Sequence, residues 1–129
     1  QEDWALVFIV QEGCRFCDMM APVAQLLEKE SGLSHLALHI SATKPPAWPE
    51  ALPDNGTLKR LVQMTGSTVT QTPAVFMVRS DSQKAYLIAT GALSVEELTN
   101  RVLVTAQKDL DEATPNNASN DRKTLSPLS

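Results

Sequence analysis

The sequence predicts an α/β fold in which a central mixed β-sheet is flanked by helices, and three observations predict it. First, an apolar run of strand length near the start passes directly into a helical pattern at residues 14–17. Second, two later strand patterns are separated only by a short polar turn, which predicts an antiparallel hairpin. Third, 129 residues of which 43% are hydrophobic can bury one core, so a single domain is expected.

The first half of the chain predicts a strand, a helix and a second strand. Trp4 to Val10 (WALVFIV) is continuously apolar, which is typical of a central strand that is covered on both faces. From Phe16 onward, apolar residues recur at helical spacing, and Gly32 favours the end of this helix. Leu36 to Ser41 (LALHIS) has the pattern of the second strand.

The second half predicts a helix, a hairpin and a terminal helix. A helical pattern covers about Thr57 to Met64, and strand patterns follow at Ala74 to Val78 and at Tyr86 to Ala89. Ser94 and Glu97 have the spacing of a capping box, in which each side chain bonds the backbone of the other residue. The resulting order, βαβαββα, requires crossover helices between its parallel strands.

Two segments fall outside this pattern. Thr43 to Asn55 contains four prolines and Trp48, so it is expected to be a semi-rigid loop rather than a helix or a central strand. Trp48 is either the anchor of this loop, which we favour, or a contact for a partner. Asp109 to Ser129 is polar and lacks aromatic residues, which is typical of a disordered tail. The predicted domain therefore covers residues 1–108, and the predicted tail covers residues 109–129.

Charge and hydropathy exclude several classes of partner. The formal net charge is −4 and both signs are scattered, so the chain has no basic stripe of the kind that binds nucleic acid. No stretch approaches the roughly 18 apolar residues of a membrane span. The chain opens shortly before its first strand, without a charged segment followed by an apolar one. We expect a trimmed form, and a signal peptide is one candidate for the removed segment.

The candidate chemistry lies in Cys14 and Cys17, at the junction of the first strand and the first helix. Thiolates attack disulfides, and the Cys14 sulfur at a helix N-terminus faces free amide groups and the positive end of the helix dipole. Cys14 is therefore the expected nucleophile, and Cys17, one turn further in, is the expected resolving residue. Arg15 adds a positive charge, and Arg15 and Phe16 are expected to modulate the site.

A C-x-x-C pair is also half of a zinc site. A structural zinc needs four ligands, and His35 and His39 are the only other soft candidates because no second C-x-x-C exists. The strand-to-helix position of the pair favours redox chemistry, so we expect no metal and no cofactor other than a redox-active disulfide between Cys14 and Cys17. Both histidines are expected to be structural or surface residues.

These residues resemble the thioredoxin superfamily over roughly Trp4 to Ala106. Cys17 to Pro22 (CDMMAP) is similar to the active-site helix of that family, in which the proline kinks the helix. Thr72-Pro73 stands where the family has its cis-proline, and Thr90 to Ser94 (TGALS) is similar to the turn before its terminal helix. The resemblance implies a thioredoxin-like fold, a modulating role for Pro22, and a substrate-binding role for Thr72 and Pro73.

The long proline-rich loop (PPAWPEALPDNG), a short helix and then TPAVFMV resemble most the TraF/TrbB group of conjugative-transfer proteins. That resemblance implies a bacterial periplasmic thiol-disulfide oxidoreductase of the isomerase or oxidase type. Its expected substrates are cysteine-containing proteins of a conjugative transfer or secretion system, and a redox partner protein is expected as well.

Two alternatives to this function stay open. The first is a thioredoxin-like disulfide reductase, and the second is a non-catalytic structural or chaperone component of the transfer complex. Phe8 stands where thioredoxin has an acid, which argues against efficient proton relay to Cys17 and so against the reductase. The presence of both cysteines, which some members of the TraF/TrbB group lack, favours an enzyme.

Overall fold

Five strands and three helices make up residues 3–113, the part of the chain that the computed structural model describes. In chain order the elements are β1 (Trp4–Val10), α1 (Arg15–Ser31), β2 (Ser34–His39), β3 (Leu52–Pro53), α2 (Thr57–Thr65), β4 (Ala74–Arg79), β5 (Lys84–Thr90) and α3 (Val95–Ala113). The predicted order of elements is confirmed, with one short strand, β3, added. None of the helices in residues 3–113 is long and apolar enough to cross a membrane.

β1 lies at the centre of the sheet, whose strand order is β3-β2-β1-β4-β5. It pairs parallel with β2 and antiparallel with β4, so that Phe8 lies between Ala37 and Val75. β4 and β5 form the predicted antiparallel hairpin. The sheet is therefore mixed, as the sequence predicted.

The continuous apolar run of β1 follows from the burial of both faces of the sheet. Leu6, Phe8 and Val10 belong to the larger core, in which residues of α1 and α3 pack. Val7 and Ile9 belong to the smaller core beneath α2. Because successive side chains of a strand face opposite sides, both sets of positions are apolar. Each of these five residues is at most 6% exposed.

The proline-rich segment is fixed to the rest of the fold by one buried side chain and one short strand. Trp48 is 1% exposed and its ring packs 5.3 Å from the ring of Phe8, so the predicted anchor is confirmed. Leu52–Pro53 pairs parallel with β2 as β3, a strand that the sequence did not predict. Proline is tolerated in β3 because this strand lies at the edge of the sheet, where no further strand needs its N–H group.

α3 begins at the predicted capping box and ends later than predicted. The Ser94 N–H donates to Glu97 Oε1 at 2.9 Å, and the Glu97 N–H donates to Ser94 Oγ at 3.1 Å. The helix continues to Ala113, so residues 109–113 belong to the folded unit rather than to the predicted tail. Asp109 is 1% exposed, a burial that the polar composition of this segment does not reveal. Residues 114–129 of the predicted tail lie outside the described residues.

Candidate active site

The turn between β1 and α1 presents the cysteine pair at the carboxyl end of the central strand. Gly13 has a φ of 80°, a left-handed conformation that glycine adopts without steric cost. This turn places Cys14 at the N-cap of α1 in an extended conformation, so its side chain faces the free N–H groups of the first helical turn. Cys14 and Cys17 are joined by a disulfide.

The two sulfurs differ in their access to solvent. Cys17 is fully buried, whereas Cys14 is partly exposed, so an incoming sulfur atom can approach Cys14 more readily. The backbone N–H of Cys17 donates to the Cys14 sulfur at 3.1 Å. A donor aimed at the sulfur favours its negatively charged form, and the positive end of the helix dipole acts in the same direction. This geometry supports Cys14 as the attacking residue.

The segment before β4 lies against the same sulfur. The peptide bond between Thr72 and Pro73 is cis, as the resemblance implied. The Thr72 hydroxyl donates to the Cys14 sulfur at 3.4 Å, and the Thr72 carbonyl oxygen lies 3.5 Å from that sulfur. Pro73 is buried, and its carbonyl oxygen accepts a hydrogen bond from the Gly91 N–H at 2.8 Å. The fold thus brings the predicted substrate-binding residues to the cysteine pair.

One polar contact of this site, made by Gln11, was not predicted from the sequence. Gln11 directly follows β1, and its side-chain amide donates to the Thr72 hydroxyl oxygen at 2.8 Å. The Cys14 sulfur therefore lies at the end of a chain of two hydrogen bonds. The available signal was position, since Gln11 is the first polar residue after the apolar strand and lies at the strand's carboxyl end, where ligands bind in α/β sheets.

The core beside the cysteine pair is aromatic. Phe8 is fully buried and belongs to the same cluster as Cys17 and Trp48. The Trp48 indole N–H donates to the Cys17 carbonyl oxygen at 2.8 Å, which ties the proline-rich loop to the first turn of α1. An apolar ring therefore fills the position at which thioredoxin has an acid, and this ring cannot accept a proton from Cys17.

Arg15, Phe16 and Pro22, the predicted modulators, all lie on α1. Arg15 is exposed, so water and salt screen its charge. Phe16 is 54% exposed and Met19 is 53% exposed, and their i, i+3 spacing places both apolar side chains on one face of the first turns. Pro22 is exposed inside α1, where it lacks the N–H group of a regular helix hydrogen bond.

Both histidines make contacts of a structural kind. The Nδ1 atom of buried His39 lies 2.8 Å from the Ser41 carbonyl oxygen. The His35 ring lies 2.6 Å from the Glu28 carboxylate and packs edge-on against Phe8. Among residues 3–113, no group of three or more His, Cys, Asp or Glu side chains is placed to hold a metal ion.

Known proteins share both the sequence pattern and the fold. The family described as TraF, F plasmid transfer operon protein, matches residues 1–103 of the chain. No curated protein gives a significant match. The solved structure of DsbF from Mycobacterium tuberculosis is 22% identical and has a TM-score of 0.55, over 79% of this chain and 80% of that chain. This likeness concerns the fold, and the expected thioredoxin-like fold is confirmed.

Two further solved structures overlap less well. A secreted disulfide oxidoreductase of Mycobacterium tuberculosis, homologous to E. coli DsbE, is 19% identical with a TM-score of 0.46, over 81% of this chain and 83% of that chain. The thioredoxin domain of a thiol-disulfide oxidoreductase from Bacteroides vulgatus is 15% identical with a TM-score of 0.49, over 80% of this chain and 79% of that chain.

Proposed function

Because the chain belongs to the TraF family of F plasmid transfer operon proteins, we propose that it is a thiol-disulfide oxidoreductase of the isomerase or oxidase type. Its substrates are cysteine-containing proteins of a bacterial conjugative transfer or secretion system. The observation that carries this proposal is the state of the Cys14 sulfur. It is accessible, it is disulfide-bonded to the buried Cys17, and it accepts hydrogen bonds from the Cys17 N–H and the Thr72 hydroxyl.

Isomerisation begins from the reduced protein. The Cys14 thiolate attacks one sulfur of a substrate disulfide, a bond forms between these two atoms, and the other substrate sulfur leaves as a thiolate. When a different substrate thiolate attacks the mixed disulfide, Cys14 leaves as a thiolate and the substrate has exchanged one disulfide for another without net electron transfer. When the Cys17 thiolate attacks the mixed disulfide instead, the Cys14–Cys17 disulfide forms again. The substrate leaves as a dithiol, because its disulfide has received two electrons from the cysteine pair.

Oxidation of a substrate begins from the Cys14–Cys17 disulfide and reverses the reduction of a substrate disulfide by the cysteine pair. A substrate thiolate attacks Cys14 in the disulfide, Cys17 leaves as a thiolate, and a second substrate thiolate then displaces Cys14 from the mixed disulfide. Two electrons pass from the substrate to the cysteine pair. A redox partner protein must remove these electrons before the next turnover, and the disulfide itself is the only cofactor.

The surface around Cys14 suits a flexible, extended substrate segment. The Thr72 carbonyl oxygen, 3.5 Å from the Cys14 sulfur, is a backbone acceptor that can pair with the N–H group of a substrate strand. Phe16 and Met19 offer apolar contact on the adjacent helix turn. Recognition through backbone atoms and apolar surface tolerates many sequences, which suits a protein that acts on several substrates.

An oxidising compartment suits this chemistry. Disulfides form and persist in the bacterial periplasm, whereas cytosolic thiols are kept reduced. We therefore place the protein in the periplasm, where proteins of a conjugative transfer system that carry disulfides would meet it.

The hydrogen bonds on Cys14 favour oxidation or isomerisation over reduction. They stabilise the reduced thiolate, and stabilising the reduced form makes the disulfide more oxidising. We expect a Cys14 pKa below about 7 and a reduction potential less negative than about −240 mV, measured by pH-dependent alkylation and by glutathione equilibration. A pKa near the ordinary value of about 8.5 with a potential at or below about −270 mV would favour the reductase.

Two assays run side by side test the proposed function. Recovery of scrambled ribonuclease measures isomerisation, and insulin reduction measures reductase activity. We expect the wild-type chain to accelerate ribonuclease recovery more than insulin reduction. The Cys14→Ser variant is the matched control, because serine is a favourable N-cap residue that preserves the start of α1 while removing the sulfur.

The outcomes of these assays separate the candidate functions. Loss of ribonuclease recovery in Cys14→Ser supports the proposal. Efficient insulin reduction without ribonuclease recovery would support the reductase instead. Absence of turnover in both assays would support a structural component of the transfer complex.

A further inference from the structure

A chain of hydrogen bonds on the Cys14 sulfur begins at a side chain that the proposed mechanism does not use. The Gln11 amide donates to Thr72 Oγ1 at 2.8 Å, and the Thr72 hydroxyl donates to the Cys14 sulfur at 3.4 Å. We propose that Gln11 is a positioning residue, which aims the hydroxyl hydrogen of Thr72 at the attacking sulfur. This inference rests on the proposed function, since it gives Gln11 a role in preparing the Cys14 thiolate.

The Thr72 hydroxyl can donate only one hydrogen bond, so its direction depends on the neighbouring groups. A threonine hydroxyl has one hydrogen and two acceptor lone pairs. Because the Gln11 N–H group occupies one lone pair, the single hydrogen of Thr72 is left for the sulfur. If Gln11 presented an acceptor instead, the Thr72 hydroxyl would donate to it and the sulfur would lose a donor. Gln11 therefore sets the direction of both hydrogen bonds.

The direction of these bonds matters most in the reduced protein. A charged acceptor makes a stronger hydrogen bond than a neutral one, and donors to the charged form of a group favour that form. Thr72 also presents its carbonyl oxygen to the Cys14 sulfur, at 3.5 Å, and the partial negative charge of that oxygen repels a thiolate. The correctly aimed Thr72 hydroxyl offsets this repulsion.

The surroundings hold Gln11 in place. The Val10 carbonyl oxygen accepts a hydrogen bond from the Ile40 N–H at 3.0 Å, and the Glu12 N–H donates to Ser41 Oγ at 2.8 Å. The backbone is thus fixed on both sides of Gln11, whose side chain lines a cavity of about 150 Å³. The same cavity is lined by the aliphatic side chains of Ile9, Ile40, Leu58 and Val69 and by the polar residues Thr70, Gln71 and Thr72. A rigid support preserves the direction of a hydrogen bond.

The first test replaces Gln11 by methionine, which keeps the length of the side chain and removes its hydrogen bonds. We expect the measured pKa of Cys14 in Gln11→Met to rise by up to about 0.5, because the Thr72 hydroxyl loses the donor that aims it and its hydrogen bond to the thiolate weakens. The pH dependence of the alkylation rate of Cys14 gives this pKa. Thr72→Val removes the hydroxyl itself and should raise the Cys14 pKa further, by about 0.5 to 1. Because Gln11 acts only through Thr72, the Cys14 pKa of the double variant should equal that of Thr72→Val.

A matched control comes from a second glutamine near the site. Gln71 is exposed and donates to the Thr90 hydroxyl at 3.4 Å rather than to Thr72. Gln71→Met makes the same chemical change and should leave the Cys14 pKa unchanged. The charged neighbours Glu12 and Arg15 are present in every variant, so their electrostatic effects are common to all the measurements.

A second variant reverses the polarity of the contact. In Gln11→Glu the ionised carboxylate can only accept, so the Thr72 hydroxyl turns toward residue 11 and away from the sulfur. We expect a larger rise of the Cys14 pKa than in Gln11→Met, because the new negative charge also disfavours the thiolate. In the Thr72→Val background only the effect of the charge remains, so the rise should be smaller there.

Two results would overturn the inference. One is an unchanged Cys14 pKa in both Gln11 variants, and the other is a rise of equal size in the Thr72 and Thr72→Val backgrounds. The alkylation measurement needs no substrate protein, so its outcome is independent of turnover. The wild-type chain could fail the ribonuclease and insulin assays while the Gln11 and Thr72 variants still have non-additive effects on the Cys14 pKa. In that case the proposed function fails and the positioning role of Gln11 stands.

Discussion

At the scale of single residues, Asp109 carries a buried carboxylate that accepts hydrogen bonds from two side chains of the sheet. Asp109 Oδ2 accepts a hydrogen bond from Arg79 Nη1 at 2.6 Å, and Asp109 Oδ1 accepts one from the Tyr86 hydroxyl at 2.7 Å. Burial opposes ionisation of Asp109, but the hydrogen bonds from Tyr86 and Arg79, together with the charges of Lys84 and Arg79, outweigh it and hold the pKa of Asp109 below its ordinary value. Burial and the neighbouring carboxylates of Asp109 and Glu112 raise the pKa of Tyr86.

The first prediction concerns the stability that Asp109 provides. In Asp109→Asn the charge is lost and the hydrogen bonds from Arg79 and Tyr86 weaken, so we expect the free energy of unfolding to fall by about 1 to 3 kcal/mol. Urea denaturation measures this change. Asp111→Asn is the control, because Asp111 lies exposed on the same helix and its carboxylate accepts only from Gln107, at 3.0 Å, among the contacts described in residues 3–113. Equal losses in both variants would show that the buried network contributes nothing specific.

The second prediction concerns the pH dependence of that stability. Because the pKa of Asp109 is lower in the folded chain than in the unfolded chain, its contribution is fully present above the unfolded value of about 3.9. It is lost as the pH falls through the lowered value. We therefore expect the difference in unfolding free energy between wild type and Asp109→Asn to shrink as the pH is lowered from about 5 to below the unfolded pKa of about 3.9. A difference that stays constant over this range would contradict the assignment.

At the scale of elements, α1 and the proline-rich loop act together at the redox site. The first turn of α1 supplies the N–H group that bonds the Cys14 sulfur, and the loop returns Trp48 to bond the Cys17 carbonyl oxygen in that turn. The pattern of strand and helix predicts where Cys14 lies, since it depends on neighbouring residues only. The bond from Trp48 joins residues 31 positions apart, and no local pattern specifies its partner.

The third prediction concerns the end of α3. Ending the chain after Lys108 removes Asp109 and exposes the partly buried Arg79 and Tyr86 that it bonds. We expect a chain of residues 1–108 to melt at least several degrees below a chain of residues 1–113, which keeps the network. Thermal unfolding followed by circular dichroism compares the two directly. Equal melting temperatures would show that the domain ends at Lys108, as composition suggested.

At the scale of the whole molecule, the fold was predictable because its signals are periodic and local. Trp4 to Val10 is apolar at every position since both faces of β1 are buried, and Ser94 and Glu97 predict the start of α3 through their own side chains. The pairing of Leu52–Pro53, the burial of Asp109 and the bond from Gln11 to Thr72 depend instead on residues that are distant in sequence. Such contacts become visible only when the chain is folded.

At the redox site, too, local sequence signals were predictive and hydrogen bonds between distant residues were not. The C-x-x-C spacing and the strand-to-helix junction predicted the cysteine pair, and the resemblance to thioredoxins predicted that Thr72 and Pro73 lie beside it. The direction of the hydrogen bonds on Cys14 could not be predicted, because it depends on which atom of the Gln11 amide faces Thr72. At this site, Cys14 is expected to attack the substrate disulfide and Cys17 to resolve the resulting mixed disulfide.

Trapping of a mixed disulfide tests this claim most directly. Reduced Cys17→Ser and reduced Cys14→Ser are each mixed with scrambled ribonuclease, quenched by alkylation and analysed by mass spectrometry without reduction. We predict an adduct through Cys14 in the Cys17→Ser variant, because the resolving thiol is missing. We predict almost none in Cys14→Ser, because Cys17 is 0% exposed. Equal trapping by both variants, or trapping by Cys14→Ser alone, would contradict the account.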